Sequence, residues 1–263
     1  MQQSKQLDEL SLSGTDAALF VSDIHLCDDE PEIAAFFFAK LEQWLPNHTH
    51  LFILGDLFES WCGDDAADTV AKQLIAMLNA KSKAGLKIFI MRGNRDFLID
   101  QSLPRSPSSS DSLTMQIGAS LLADECVLDS FGERWLLCHG DQLCTLDVAY
   151  QAFRKHSRSL QWQQAFLSQP EEIRLEQAKQ MRAVSRAHQK QSDGQAMYDV
   201  EQQSVESMME NHGVKNLLHG HTHKPAIHKL RSSGERWVLS DWASKPARGD
   251  AISFSLNGPK RLV

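Results

Sequence analysis

Short apolar runs that end in small or charged residues recur along the chain. "ALFVSD" (18–23) and "LFILGD" (51–56) are too short for helices and read as buried strands. Between them, residues 30–45 place Ile33, Phe37, Leu41 and Trp44 at helical spacing. Residues 66–84 predict a second helix and "KIFIMRGN" (87–94) a third strand, so the order is that of an α/β fold. "LPRSPSSSDS" (103–112) predicts an exposed loop, and "RWLLCHGD" (134–141) a further strand. Residues 146–212 then carry helical patterning with no strand signal. The strand pattern resumes at "KNLLHGH" (215–221), "RWVLSDW" (236–242) and "AISFSL" (251–256). The expectation is a polar, flexible arm over 1–16 and one α/β domain over 17–263. A helical cap is inserted in that domain at about 146–212.

Bulk properties narrow the function classes. At 263 residues, 42% hydrophobic and 23% charged, the chain suits a globular domain with a sizeable core. A formal net charge of -7 argues against a general nucleic-acid binder, because phosphate neutralisation needs positive charge. Five cysteines without a C-x-x-C, and no secretory apolar segment, predict a reducing cytoplasm. No apolar run reaches the roughly 18 residues of a spanning helix.

The chemistry lies at the strand ends. Asp23-Ile-His25, Gly55-Asp56, Gly93-Asn94-Arg95-Asp96, His139-Gly140-Asp141 and Gly220-His221-Thr-His223 each follow an apolar run. Singly, each fragment is an ordinary turn or cap; five of them at strand ends are hard to obtain by accident. Ligands of open α/β sheets bind outside the carboxyl ends of the strands, so these side chains are expected to converge. Carboxylates, an amide oxygen and imidazoles form a mixed O/N set suited to Mn²⁺, Fe or Zn²⁺. Seven such groups fit two ions. Asp23, His25, Asp56 and His223 are assigned to one, and Asp56, Asn94, His139 and His221 to the other, with Asp56 bridging. A hydroxide shared between the ions is the expected nucleophile, because metal coordination acidifies water. His219 is expected to face the core, as is Cys138. His48, His50, His156, His212 and His228 are expected to be surface or structural residues.

In this order the fragments resemble the calcineurin-like metallophosphoesterases, whose signature is D-x-H, G-D, G-N-[H/R]-[D/E], H-G and G-H-x-H. The resemblance implies a β-sandwich core flanked by helices and two-metal phosphoester hydrolysis. "SDIHLCDDEP", "LGDLFESWCGDD", "GNRDFL", "HGDQLCTLDVAYQAFR", "MRAVS" and "HGHTHKPAIH" are similar to the UDP-2,3-diacylglucosamine hydrolase family of lipid A biosynthesis. That family cleaves a pyrophosphate to release UMP and 2,3-diacylglucosamine 1-phosphate. The resemblance implies two Mn²⁺ per chain and catalytic roles for Asp23, His25, Asp56, Asn94, Arg95, His139, His221 and His223. It also implies substrate contacts at Asn94, Arg95, Asp147, Ser185 and His221. Gln189 and Lys190 are the nearest candidates for a further amide and lysine, in a stretch one residue longer than the family pattern.

Two features bear on the substrate. Many relatives carry histidine where this chain has Arg95, and a guanidinium is a poor proton donor but a good bidentate grip on phosphate. Such an enzyme should prefer a leaving group that needs no proton, as a pyrophosphate provides. Residues 153–190 hold eight Lys and Arg against three Glu, interleaved with Phe153, Leu160, Trp162, Phe166 and Leu167. This pattern suits an anionic membrane surface, with the protein peripheral on the cytoplasmic face of the inner membrane. It suits an ordinary amphipathic cap equally well. Two other readings remain: a nucleotide or nucleic-acid phosphodiesterase on the same core, and a non-catalytic metal-binding scaffold.

Overall fold

In the computed structural model the residues described are 7–101, 111–191, 199–231 and 233–263, with the backbone alone for Leu7 and 185–191. Residues 103–110, most of the Ser/Pro-rich stretch expected to loop out over 103–112, lie outside that set. The chain begins with β1 (Leu7–Leu12), β2 (Ala18–Val21), α1 (Pro31–Trp44) and β3 (His50–Leu54). It continues through α2 (Thr69–Lys83), β4 (Lys87–Met91), α3 (Leu113–Ile117), β5 (Ser120–Ser130) and β6 (Glu133–Cys138). Four helices follow: α4 (Val148–Ser157), α5 (Leu160–Leu167), α6 (Glu171–Gln191) and α7 (Gln202–Asn211). The chain closes with β7 (Asn216–His219), β8 (Ala226–Lys229), β9 (Glu235–Val238), the short β10 (Ala243–Ser244) and β11 (Ala247–Arg248), β12 (Ala251–Ser255) and β13 (Gly258–Leu262).

The strands join in the order β13-β12-β2-β3-β4-β5-β6-β7-β9-β8, with β1 added beside β5. Strand alternation explains the layers, since successive side chains point to opposite faces. Leu19, Val21, Leu51, Ile53, Ile88 and Ile90 join one apolar cluster with Phe37 and Leu41 of α1 and Leu74 and Leu78 of α2. Their neighbours Phe20, Phe52, Leu54, Phe89 and Met91 face inward, against Trp135 and Leu137 of β6 and Leu218 of β7. On the far side Leu136, Cys138 and Leu217 meet Val205 and Met209 of α7. The result is a β-sandwich with helices on both outer faces. Caps fix the helix starts: Asp68 accepts from the Ala71 amide at 2.7 Å, so α2 begins slightly later than the apolar pattern suggests.

Two strands differ from the sequence expectation. β5 pairs with β4 only at Ser120 and Leu121, then with β6 from Glu125 onward, and so passes from one half of the sandwich to the other. One alternation runs through it: Leu122, Cys126 and Leu128 face inward, while Leu121 packs outward on the α1–α2 side and Val127 outward on the α7 side. The half-buried Ala123, Asp124 and Glu125 interrupt its apolar run at the crossing, so the sequence offers no continuous strand signal there. The arm expected to be loose over 1–16 instead contributes β1, parallel to β5, and Leu12 is buried in the sandwich. A bulge between Leu7 and Glu9 interrupts the register.

Phe20 is fully buried, stacks on Phe52 (ring centroids 4.6 Å apart) and meets Phe254 at a tilt (4.7 Å). Phe20→Ala should cost about 3–5 kcal/mol of stability in urea unfolding; a loss under about 1 kcal/mol would mean this contact is not central to the core.

Candidate metal centre

The parallel strands β2, β3 and β4 of one half, and β6, β7 and β9 of the other, end on one rim. The backbone holds the two halves together there. The amides of His221 and Trp242 donate to Asp23, the first to Oδ2 at 2.8 Å and the second to its carbonyl at 3.1 Å. The Asp23 and His25 amides donate in turn to the carbonyls of Gly55 and Asp56. Asp23, His25, Asp56, His221 and His223 all have φ between 52° and 66°. These are five of the eight non-glycine residues with positive φ among those described, so left-handed strain is concentrated on this rim.

The seven residues expected to bind metal come together in two adjoining groups. In the first, His25 Nε2 and His223 Nε2 face each other at 3.5 Å, and His223 Nε2 lies 3.4 Å from Asp23 Oδ1. Asp23 is fully buried, and its Oδ1 receives no hydrogen bond from the described residues. In the second, His139 Nε2 and His221 Nδ1 both lie against Asn94 Oδ1, at 2.9 and 2.8 Å. Asp56 stands between the groups, with Oδ1 at 3.6 Å from His139 Nε2 and Oδ2 at 4.0 Å from His25 Nε2. Ligand atoms of Asp23, His25 and His223 lie within 4.8 Å of one another, as do those of Asp23, Asp56 and His139.

The electrostatics fit a cation. Burial alone would raise the Asp23 carboxyl, but His223, His139 and His25 hold it well below the usual range. Burial would likewise lower His139, yet Asp56, Asp23 and Asp141 push it up to about 9. Burial, reinforced by His139, lowers His221 to about 4. The carboxylates thus exert a field that asks for positive charge, while converging imidazole nitrogens and a buried, unpartnered oxygen supply lone pairs. That is the donor set of a hard or borderline divalent ion.

Around this rim the supports are polar. Asp96 accepts from the amides of Gly93 and Leu57, each at 2.7 Å, and of Asp56 at 3.3 Å; burial and then Asp56 raise its carboxyl to about 6. His139 Nδ1 donates to the Leu54 carbonyl at 2.9 Å. His219 is buried as expected, between the Gly220 carbonyl and Arg236 Nη1.

Beside the rim a cavity of about 690 Å³ opens between the core and α4–α6. Asn94, Arg95, Asp147, Arg182 and His221 line its polar end, and Trp61, Phe97, Phe153, Trp162, Phe166 and Met181 its apolar walls. Four of the expected substrate residues, Asn94, Arg95, Asp147 and His221, therefore border one space. Asp147 also caps α4 by accepting from the Tyr150 amide at 2.9 Å. Ser185, Gln189 and Lys190 fall on the last turns of α6, and their side chains lie outside the described residues.

The basic residues of the α4–α6 segment are deployed differently from the expectation of a membrane-facing stretch. Arg154 bonds Asp141 and Asp124, at 2.8 and 2.9 Å. Arg158 reaches the Gly93 carbonyl at 2.9 Å, and Arg174 grips both oxygens of Asp65, at 2.8 and 2.6 Å. These three tie the α4–α6 segment to the core; Lys155 and Lys179 are exposed. Glu59, which reaches Arg182, and Asp241, which lies beside His223, were not singled out by the motifs. "LFESW" and "LSDW" both continue strand-end patterns, and that continuation is the local signal that could have marked them.

Residues 18–225 match the calcineurin-like phosphoesterase family. The UDP-2,3-diacylglucosamine hydrolase of Xanthomonas axonopodis pv. citri (strain 306) is 41% identical over 249 residues, covering 90% of this chain and 97% of that protein. The UDP-2,3-diacylglucosamine hydrolase of Stenotrophomonas maltophilia (strain K279a) is 39% identical over 250 residues, with 91% and 97% coverage. That of Cellvibrio japonicus (strain Ueda107) is 41% identical over 227 residues, with 85% and 90% coverage.

A Cβ at Gly220 would stand 2.2 Å from both Asp23 Oδ2 and Ser22 Oγ, so the His221 loop must move if that position gains a side chain. Gly220→Ala should stay folded by circular dichroism while losing about 100-fold or more in metal-dependent phosphoesterase turnover. Undiminished turnover would show that the close approach is dispensable.

Proposed function

The chain belongs to the calcineurin-like phosphoesterases and, among them, to the UDP-2,3-diacylglucosamine hydrolases, and on that premise we infer that it hydrolyses the pyrophosphate bond of UDP-2,3-diacylglucosamine. The products are UMP and 2,3-diacylglucosamine 1-phosphate. The observation that carries this reading is the position of the paired donor groups at the polar mouth of an apolar-walled cavity. A sugar bearing two acyl chains and a diphosphate has that same division of character. A nucleotide or a bare scaffold would have no use for the apolar walls.

We propose that Asp23, His25, Asp56 and His223 hold one Mn²⁺, and that Asp56, Asn94, His139 and His221 hold a second. The two oxygens of Asp56 face the two groups, which supports its role as the bridge. Bound there, two such ions supply an acidified water and neutralise charge on phosphorus. The chain's own residues do the rest. Arg95 and Asn94 stand where a phosphate entering from the cavity meets the rim, and the Arg95 amide is fixed to Asp56 Oδ1 at 2.8 Å. A guanidinium there grips a phosphate oxygen and offers little as an acid. The leaving group should therefore be one that departs without a proton, as the sugar phosphate does. Asp147 borders the same space, and Ser185, Gln189 and Lys190 are proposed as further substrate contacts from α6. The segment 146–212 is proposed as a cap inserted in a domain over 17–263.

Metal-stripped protein incubated with UDP-2,3-diacylglucosamine in ¹⁸O-water should release UMP only when Mn²⁺ is returned. Label in UMP would place attack on the uridine-side phosphorus, and label in the sugar phosphate on the other. No turnover by folded, metal-loaded protein would refute the reading. In the same assay an unactivated alkyl phosphodiester should react at least about 100-fold more slowly, the smaller end of what a general acid contributes. Comparable rates would sink the role given to Arg95.

We also propose that the protein works peripherally on the cytoplasmic face of the inner membrane. Among the described residues no helix is long and apolar enough to cross a membrane. Leu146, Val148, Leu160 and Val184 are more than half exposed on the segment that walls the cavity, with Lys155 and Lys179 on the same segment. Such a surface suits interfacial contact. Leu146→Gln with Val148→Gln should weaken sedimentation with anionic vesicles about 10-fold, the equivalent of about 1.4 kcal/mol. Unchanged sedimentation would remove these residues from the contact.

A further inference from the structure

Two of the four histidines at the rim back onto carboxylates. His25 turns Nε2 toward His223 and Asp56, while its Nδ1 lies 3.2 Å from Glu59 Oε2, an ion-pair approach that is not aligned as a hydrogen bond. His223 has a looser version, with Nε2 3.4 Å from Asp23 and Nδ1 3.6 Å from Asp241 Oδ2, within ion-pair range and just beyond a hydrogen bond. The other pair is built differently. His139 Nδ1 has a neutral backbone carbonyl behind it, and His221 spends Nδ1 on Asn94. Each of the two carboxylates is itself clamped by an arginine. Arg182 of α6 pairs with Glu59, and Arg248 of β11 grips both oxygens of Asp241, with Nε at 2.9 Å from Oδ1.

A carboxylate behind a ligating imidazole keeps the proton on the outer nitrogen, aims the inner lone pair at the ion, and adds negative charge close by. A backbone carbonyl fixes the tautomer without adding that charge, and Asp141, the acid that bears on His139 and His221, is bonded to Arg154 and Tyr150 and to neither imidazole. We propose that Glu59 and Asp241 are positioning residues that make the Asp23–His25–His223 group the tighter of the two cation sites, with Glu59 tying that site to the cap through Arg182. The inference rests on the two-cation reading above. It goes beyond that reading in assigning an order of affinity and the residues that set it.

The test is a titration of metal-stripped protein with Mn²⁺ alone, reading free ion by electron paramagnetic resonance. Wild-type protein should bind two ions in separable steps, with His223→Ala abolishing the tighter and His139→Ala the weaker. Glu59→Gln and Asp241→Asn should each weaken the tighter step about 10-fold and leave the other within about twofold, in line with the effect of removing an outer carboxylate. A general loosening of the fold would instead lower both steps, and that result would overturn the proposal. So would an unchanged tighter step, or its loss in His139→Ala. Arg248→Lys keeps the charge but removes the bidentate grip at a half-exposed hairpin position, and should weaken the same step severalfold, providing a variant that spares the buried residues. Wild-type protein that binds fewer than two ions would refute the two-cation reading itself, a different result from equal affinities in the variants.

Discussion

The Asp23 carboxylate is fully buried at the seam between the two halves of the sandwich, and much of the surrounding structure answers that charge. A buried carboxylate without compensation costs several kcal/mol. One oxygen is satisfied by the His221 amide, and the other faces His223. The same residue's carbonyl takes the Trp242 amide, so strands from both halves are registered on a single position. Positive charge must be found nearby, and a bound cation would supply it more fully than the histidines around it. Stability and metal binding are therefore linked here: whatever loads the site also relieves the cost of the fold at its seam.

Backbone geometry shows what that arrangement demands. A left-handed conformation costs a non-glycine residue about 1–2 kcal/mol, and five residues of the rim adopt it. Each such turn re-aims a side chain at a strand end, where a continuing strand would have sent it to the next face. The close contacts at Gly93 and Gly220 serve the same end. A Cβ at Gly93 would lie 2.1 Å from Asp56 Oδ1, so the two strand-end loops nest only because that atom is missing. The fold spends local strain on convergence, and the aromatic core of Phe20, Phe52, Phe254 and Trp135 offsets it.

The parts legible in the sequence were those whose signal is local. Strands β2, β3, β4, β6 and β7 each combine an apolar run with a metal-capable side chain shortly after it, so periodicity and chemistry pointed to the same residues. β5 escaped because Ala123, Asp124 and Glu125 break its apolar run where it crosses between the halves, and β1 because a short polar-rich segment reads as a tail until its partner strand is known. The outer carboxylates were hidden for a related reason. Glu59 and Asp241 act on histidines 34 and 18 positions away, and no spacing rule links them. The basic stretch of the cap was visible as charge, but its purpose was not: Arg154, Arg158 and Arg174 point at acids or carbonyls that precede them by tens of residues or more.

That use of arginine follows from what the cap encloses. A helical subdomain ordinarily adheres by burying its apolar stripe against the core. Here much of that stripe, including Phe153, Trp162, Phe166 and Met181, is the wall of the cavity, and packing it fully against the core would close the space a lipid substrate needs. Phe166 and Ala178 still join the core cluster, and the rest of the seating comes from the edges. Ion pairs from Arg154 to Asp141, Arg174 to Asp65 and Arg182 to Glu59 supply it at separate points around the opening. Bidentate guanidinium contacts fix orientation as well as distance, which lysine would not. One of these anchors ends on the carboxylate behind a metal-facing histidine, so the position of the cap and the geometry of the rim are parts of one constraint.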